Sequence, residues 1–62
     1  MHLIGKTRKF SGKTYKAVDA EKLKSVANYK ANQWRNNGYA VRIIKTKTQE
    51  HGTEYYIYIK KK

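Results

Sequence analysis

Residues Asn28 to Tyr39, NYKANQWRNNGY, hold four Asn, one Gln, a Trp, two Tyr, a Lys and an Arg. Asn, Gln and Arg match the donor and acceptor pattern of base edges, so one chemistry open to this stretch is major-groove readout by a helix. A second set is spread along the chain: Lys6, Arg8, Lys9, Lys13, Lys16, Arg42, Lys45, Lys47 and Lys60, with Tyr56 and Tyr58 among them. Ammonium and guanidinium groups meet phosphates, and phenol rings stack on bases or lie along sugars, so this set suits a nucleic-acid platform. A third cluster, QEHGTE, brings Glu50, His51 and Glu54 together as a metal or acid–base site would. It falls in a turn with no nucleophile and no apolar wall, where a solvated loop is the better reading. DAEK, Asp19 to Lys22, has the acid–acid–lysine order of some nucleases, but Asp19 is better used as a helix cap. His2 stands near a terminus and His51 in a turn, and Gly5, Gly12, Gly38 and Gly52 do not make a phosphate loop. There is no Cys and hence no zinc spacing. No catalysis, cofactor, metal or small-molecule substrate is expected.

Fifteen Lys and Arg against four acids leave a formal charge of +11 on 62 residues. Self-repulsion on that scale destabilises a compact state and calls for a neutralising partner. Nucleic acid comes first, with an anionic membrane or an acidic protein behind it and a basic surface serving only solubility as the plain alternative. Lys outnumbers Arg twelve to three. Lys holds phosphate as a point charge, whereas Arg is the better base reader, so backbone binding with little sequence preference is expected. DNA is placed ahead of RNA. No apolar run has membrane-helix length and no signal-peptide pattern follows Met1, so an intracellular, cytoplasmic protein without membrane contact is expected.

The elements that must position these groups are legible. Sixty-two residues make one small basic domain, 1–62, with Lys60 to Lys62 as a flexible basic tail. LIGKTRKF (Leu3 to Phe10) and KTYKAV (Lys13 to Val18) read as strands joined by Ser11-Gly12. A two-residue loop there sets Arg8 opposite Tyr15 and Lys6 opposite Ala17, with Thr7–Lys16 and Lys9–Thr14 on the other face. A helix is expected from Asp19 to Asn37. Asp19 serves as N-cap, Glu21 lies in the first turn, and Val18 and Leu23 form a hydrophobic staple. Its apolar stripe is Ala20, Leu23, Val26, Ala27, Ala31 and Trp34. Asn37 as C-cap and Gly38 in the left-handed region stop it, with Trp34 against Tyr39. Lys22, Ser25, Tyr29, Asn32, Gln33 and Asn36 gather on the face turned away, which carries few cations for a DNA-reading helix.

Beyond the helix, YAVRIIKTKT (Tyr39 to Thr48) sets Val41 and Ile43 on one side and Arg42 and Ile44 on the other. QEHG turns the chain, and TEYYIYIK (Thr53 to Lys60) sets Tyr55, Ile57 and Ile59 against Tyr56, Tyr58 and Lys60. The expected fold is α+β, in the order β-β-α-β-β: an antiparallel sheet of about four strands with one helix packed on one face. The other face is then uncovered and carries Tyr56, Tyr58, Arg42 and Lys60 with some of Lys9, Lys16 and Thr7. It serves either as the nucleic-acid surface or as the contact of a homodimeric scaffold, which would also stabilise so small a core.

The passage ANQWRNNGYAVRI, where a helix ends in Gly38-Tyr39 and runs into the Val41–Ile43 strand, resembles small basic proteins of archaea and their plasmids and viruses. It is also similar to half of a cell-wall-binding SPOR repeat, whose second half has no counterpart here. The size and lysine content are similar to the seven-kilodalton archaeal chromatin proteins, although those place their helix last. The arm-binding domains of tyrosine recombinases, a three-stranded sheet in the major groove, are similar in strategy.

Overall fold

The computed structural model describes residues 5–50 and 52–61. His2, Leu3 and Ile4, His51 of the expected turn and Lys62 of the expected tail lie outside the described residues. Strands β1 (Thr7–Phe10) and β2 (Lys13–Glu21) precede helix α1 (Lys24–Asn36), and strands β3 (Tyr39–Thr48) and β4 (Gly52–Lys61) follow it. All pairings are antiparallel and the sheet order is β1-β2-β4-β3, which places the last strand inside the sheet. The expected α+β architecture, with one helix on one face, is the one observed.

Ser11 and Gly12 both have positive φ, 52° and 80°. That is the signature of a type I′ hairpin loop, whose twist matches the strands it joins. A loop of two residues leaves no choice of register: Thr7 opposes Lys16, Arg8 opposes Tyr15 and Lys9 opposes Thr14. The Ala17 N–H donates to the Lys6 carbonyl at 2.8 Å, extending the expected pairing beyond the strand end.

The second strand overruns the place where a helix is expected to begin. Asp19, Ala20 and Glu21 pair with Ile57, Tyr56 and Tyr55 of β4, and the Ala20 N–H donates to Asp19 Oδ1 at 2.9 Å, so the stretch is held as a strand. A bulge falls between Ala17 and Asp19. One extra residue there reverses the alternation of faces, so Asp19 and Glu21 share the helix side with Ile57 and Tyr55 while Ala20 turns to the other. Asp19 is therefore no helix cap. Leu23 takes the N-cap position with no side-chain cap bond, and the first turn holds no acid. Leu23 is also 64% exposed, so neither the staple nor its place in the apolar stripe is formed.

The far end of α1 closes as its residues predict. Asn37 is the C-cap, Gly38 has φ 90°, and the Gly38 N–H donates to the Arg35 carbonyl at 3.0 Å. Trp34 and Tyr39 meet edge to face at 5.1 Å. Ala27 and Ala31 are fully buried, and the small side chain of Ala27 lets the helix lie close on Ile57 and Ile59.

A clamp ties α1 to β2. Lys30 Nζ donates to Asp19 Oδ2 at 2.9 Å and to a carboxylate oxygen of Glu21. The hydrogen bond to Glu21, then that to Asp19, pushes the Lys30 ammonium up to about 12 from 10.5. A folded value above the unfolded one means the clamp's contribution is fully present below about pH 10.5 and is lost as pH rises through about 12. The melting-temperature difference between this chain and Lys30→Met is therefore expected to hold steady up to about pH 10 and to shrink by pH 12, as thermal scans across that range would show.

Strand β4 is buried on both faces. Ile57 and Ile59 pack against α1 with Val18, Trp34, Val41 and Ile43. Tyr56 and Tyr58 join Tyr15, Ala17 and Ala20 on the opposite side, with Phe10, Ala40 and Ile44 around them. An uncovered second face was expected. Instead the sheet curls, bringing Phe10 of β1 to 5.4 Å from Tyr58 and under Arg42 of the far edge strand β3. A bulge bends its strand and increases local twist, and the one in β2 lies where the β1–β2 hairpin turns over this face. Lys60 and Lys61, expected in a tail, are paired strand residues opposite Ala40 and Tyr39.

Candidate nucleic-acid interface

Register divides the expected cations into two groups. Arg8 opposes Tyr15, Lys13 opposes Phe10, Arg42 opposes Tyr58, and Lys60 opposes Ala40, so all four lie on the concave face. Lys6, bonded through its carbonyl to Ala17, falls on that face too. Lys16 opposes Ile59 and Lys9 opposes Thr14, while Lys45 opposes Tyr55 and Lys47 opposes Thr53, all on the helix side. The structure thus brings together Lys6, Arg8, Lys13, Arg42 and Lys60, and separates them from Lys9, Lys16, Lys45 and Lys47. Thr7, Lys9 and Lys16 do not join the Tyr-bearing face as expected, because the face of each is fixed by the two-residue turn and the pairing to β4.

The centre of the concave face is Phe10, which is not among the expected site residues. Phe10 is half-buried, stands edge-on to Tyr15 at 5.3 Å and to Tyr58 at 5.4 Å, and receives two guanidinium groups. Arg8 Cζ lies 5.2 Å and Arg42 Cζ 5.6 Å from the ring centre. Each contact attracts a cation to the ring's negative face. Arg8 is two residues before Phe10 and so on the same face of β1, a signal the sequence does contain. Arg42 comes from the opposite edge of the sheet, and no local pattern announces it.

Tyr56 and Tyr58, expected as aromatic contacts, are 3% and 4% exposed. With their rings under Phe10 and Ile44 they are core side chains and offer neither a stacking platform nor a dimer face. The Tyr56 hydroxyl donates to Glu54 Oε1 at 3.3 Å. Burial first, and the Glu54 carboxylate after it, pushes the Tyr56 phenol above its usual range.

Three of the four acids are engaged by side chains other than the two arginines. Asp19 and Glu21 are held by Lys30 on the helix side, and buried Glu54 sits by the Tyr56 hydroxyl. Glu50 is in the β3–β4 turn, eight residues beyond Arg42. Arg8 and Arg42 are exposed, so both are open to an anion from solution.

The amide-rich helix face carries exposed Ser25, Tyr29, Asn32, Gln33 and Asn36 as expected, whereas Lys22 lies in the turn ahead of α1. Asn32 Oδ1 accepts from Arg35 at 3.0 Å, and the Gln33 carbonyl accepts from Asn37 Nδ2 at 2.8 Å. No helix of the described residues is long and apolar enough to cross a membrane. Compared with known proteins, the chain matches no protein-family model, no curated protein and no solved structure.

Proposed function

We propose that this protein binds nucleic acid, DNA ahead of RNA, without catalysis and with little sequence preference, through phosphates met by Lys6, Arg8, Lys13, Arg42 and Lys60. The observation that supports it most is the pair of arginines converging on Phe10 from opposite edges of the sheet. Both guanidinium groups are exposed and carry full positive charge near the same ring, so a phosphate that meets either is attracted by both. A guanidinium held against a ring by its carbon still presents N–H donors at its rim, the geometry that phosphate oxygens accept. Lys6, Lys13 and Lys60 widen the positive face, and the net charge of +11 supplies long-range attraction to a polyanion. With Tyr56 and Tyr58 buried, the binding is electrostatic rather than by base stacking.

Five neutralised phosphates give a slope of log K against log salt of about −4.5, or about 500-fold weaker binding at 200 mM than at 50 mM salt. Fluorescence anisotropy with a labelled duplex across that range measures it. An affinity indifferent to salt, or none at low salt, overturns the reading.

A further inference from the structure

Two depressions of about 260 Å³ each flank the helix. One, toward the end of α1, is lined by Asp19, Lys30, Gln33, Trp34 and Asn37. The other lies between the start of α1 and the β3–β4 hairpin, lined by Lys24, Asn28, Ile43, Lys45 and Tyr55. They match in size and differ in charge balance. In the first, Lys30 meets Asp19 and Glu21. In the second, two lysines share a cleft whose lining contains no carboxylate.

Lys24, Asn28 and Lys45 are exposed, while Ile43 and Tyr55 are half-buried and form an apolar floor. Two ammonium groups over such a floor, beside an amide donor, suit a phosphodiester with its sugar: charge and N–H donors for the oxygens, a ring and an aliphatic side chain for the ribose or deoxyribose. Lys47, two residues along β3 on the same face, is exposed and extends the positive surface outward. The whole set is on the helix side of the sheet, opposite the Arg8–Phe10–Arg42 cluster.

We propose that this groove is a second nucleic-acid phosphate site, so that one molecule holds two separate segments on opposite faces of its sheet. The inference rests on the concave face binding the first. The smallest dimension of the molecule is 17 Å. That is about twice the Debye length of ~8 Å at physiological ionic strength, so segments held on opposite faces are largely screened from each other.

The test captures a labelled duplex on beads that carry an unlabelled one, with the full chain added between them. Alongside it, anisotropy with a single short duplex measures first-site affinity. Wild type is expected to bridge, and Lys24→Gln/Lys45→Gln to lower capture at least tenfold while changing single-duplex affinity less than about threefold; two lost contacts are worth about 60-fold at 0.1 M salt for the site that loses them. Lys9→Gln/Lys16→Gln removes the same net charge on the same side of the sheet, outside the groove, and is expected to bridge. In amide-shift mapping, the first equivalent of oligonucleotide is expected to move Arg8, Phe10 and Arg42, and the second Lys24, Asn28 and Lys45. Equal loss of capture in both variants, or undiminished capture by Lys24→Gln/Lys45→Gln, overturns the groove. Tight single-duplex binding with no capture overturns bridging and leaves the concave face standing. No binding at all removes the first site and the second with it.

Discussion

Replacing Arg8 and Arg42 together by Gln is expected to weaken duplex binding about 60-fold at 0.1 M salt and to flatten the salt slope by about two. The size follows from counterion release: each phosphate contact contributes about 0.9 to the slope, hence about 0.9 to log K at 0.1 M salt relative to 1 M, and two contacts contribute about 1.8. Folding should survive the change. Both side chains are exposed, and a cation–π contact at an exposed site contributes about 0.5–1 kcal/mol, so the double variant is expected to lose about 1–2 kcal/mol at most. Anisotropy at several salt concentrations, with a thermal melt beside it, separates the two effects. A variant that stays folded and binds with an unchanged slope would falsify the assignment of these two arginines to phosphate.

Tyr58→Ala probes the closure of the concave face. Tyr58 is 4% exposed and packs with Tyr15 and Ala17 under the edge of Phe10. Truncating a buried aromatic side chain to Ala costs about 3–5 kcal/mol. A domain of this length has a total stability of roughly 3–9 kcal/mol, so the variant is expected to be largely unfolded or to melt some tens of degrees lower. Tyr58→Phe, which keeps the ring, is expected to stay within about 1.5 kcal/mol of the parent. Thermal and urea unfolding followed by circular dichroism measure both. A solvent-facing ring that only stacked on bases would behave in the opposite way, leaving the fold intact and weakening binding alone. A Tyr58→Ala variant that melts within a few degrees of the parent therefore means that the sheet does not curl over this residue.

The two predictions place the chain's aromatic and cationic residues in separate roles. The rings on the concave side hold the curl in the sheet, and the curl is what carries Arg8 and Arg42 to one point from strands at opposite edges. Binding strength then depends on side chains at the surface, while the geometry of the surface depends on residues that meet no ligand.

Several features of this molecule are decided within a few residues and are legible in the sequence itself. Ser11-Gly12 dictates a two-residue turn and thereby the register from Thr7 to Lys16. Gly38 stops the helix because its backbone lies at φ 90°, and the spacing of Trp34 and Tyr39 makes the contact that seals the end. Strict alternation in β3 and β4 assigns Ile57 and Ile59 to one side and Arg42, Tyr56 and Tyr58 to the other. Tertiary structure decided the rest. Asp19 has the right chemistry for a helix cap, but pairing to β4 claims its backbone and Lys30 its carboxylate, and both partners are distant in sequence. Whether Tyr56 and Tyr58 are covered depends on a bulge at Val18 and on a hairpin folding over from the far edge, which no window of β4 contains. The same long-range curl joins Arg42 to Arg8, whereas alternation along β1, β2 and β3 already turns Lys9, Lys16, Lys45 and Lys47 to the other side. Turns and helix ends answer to neighbours in the chain; the burial of a sheet face answers to pairing and curvature, which only the assembled strands possess.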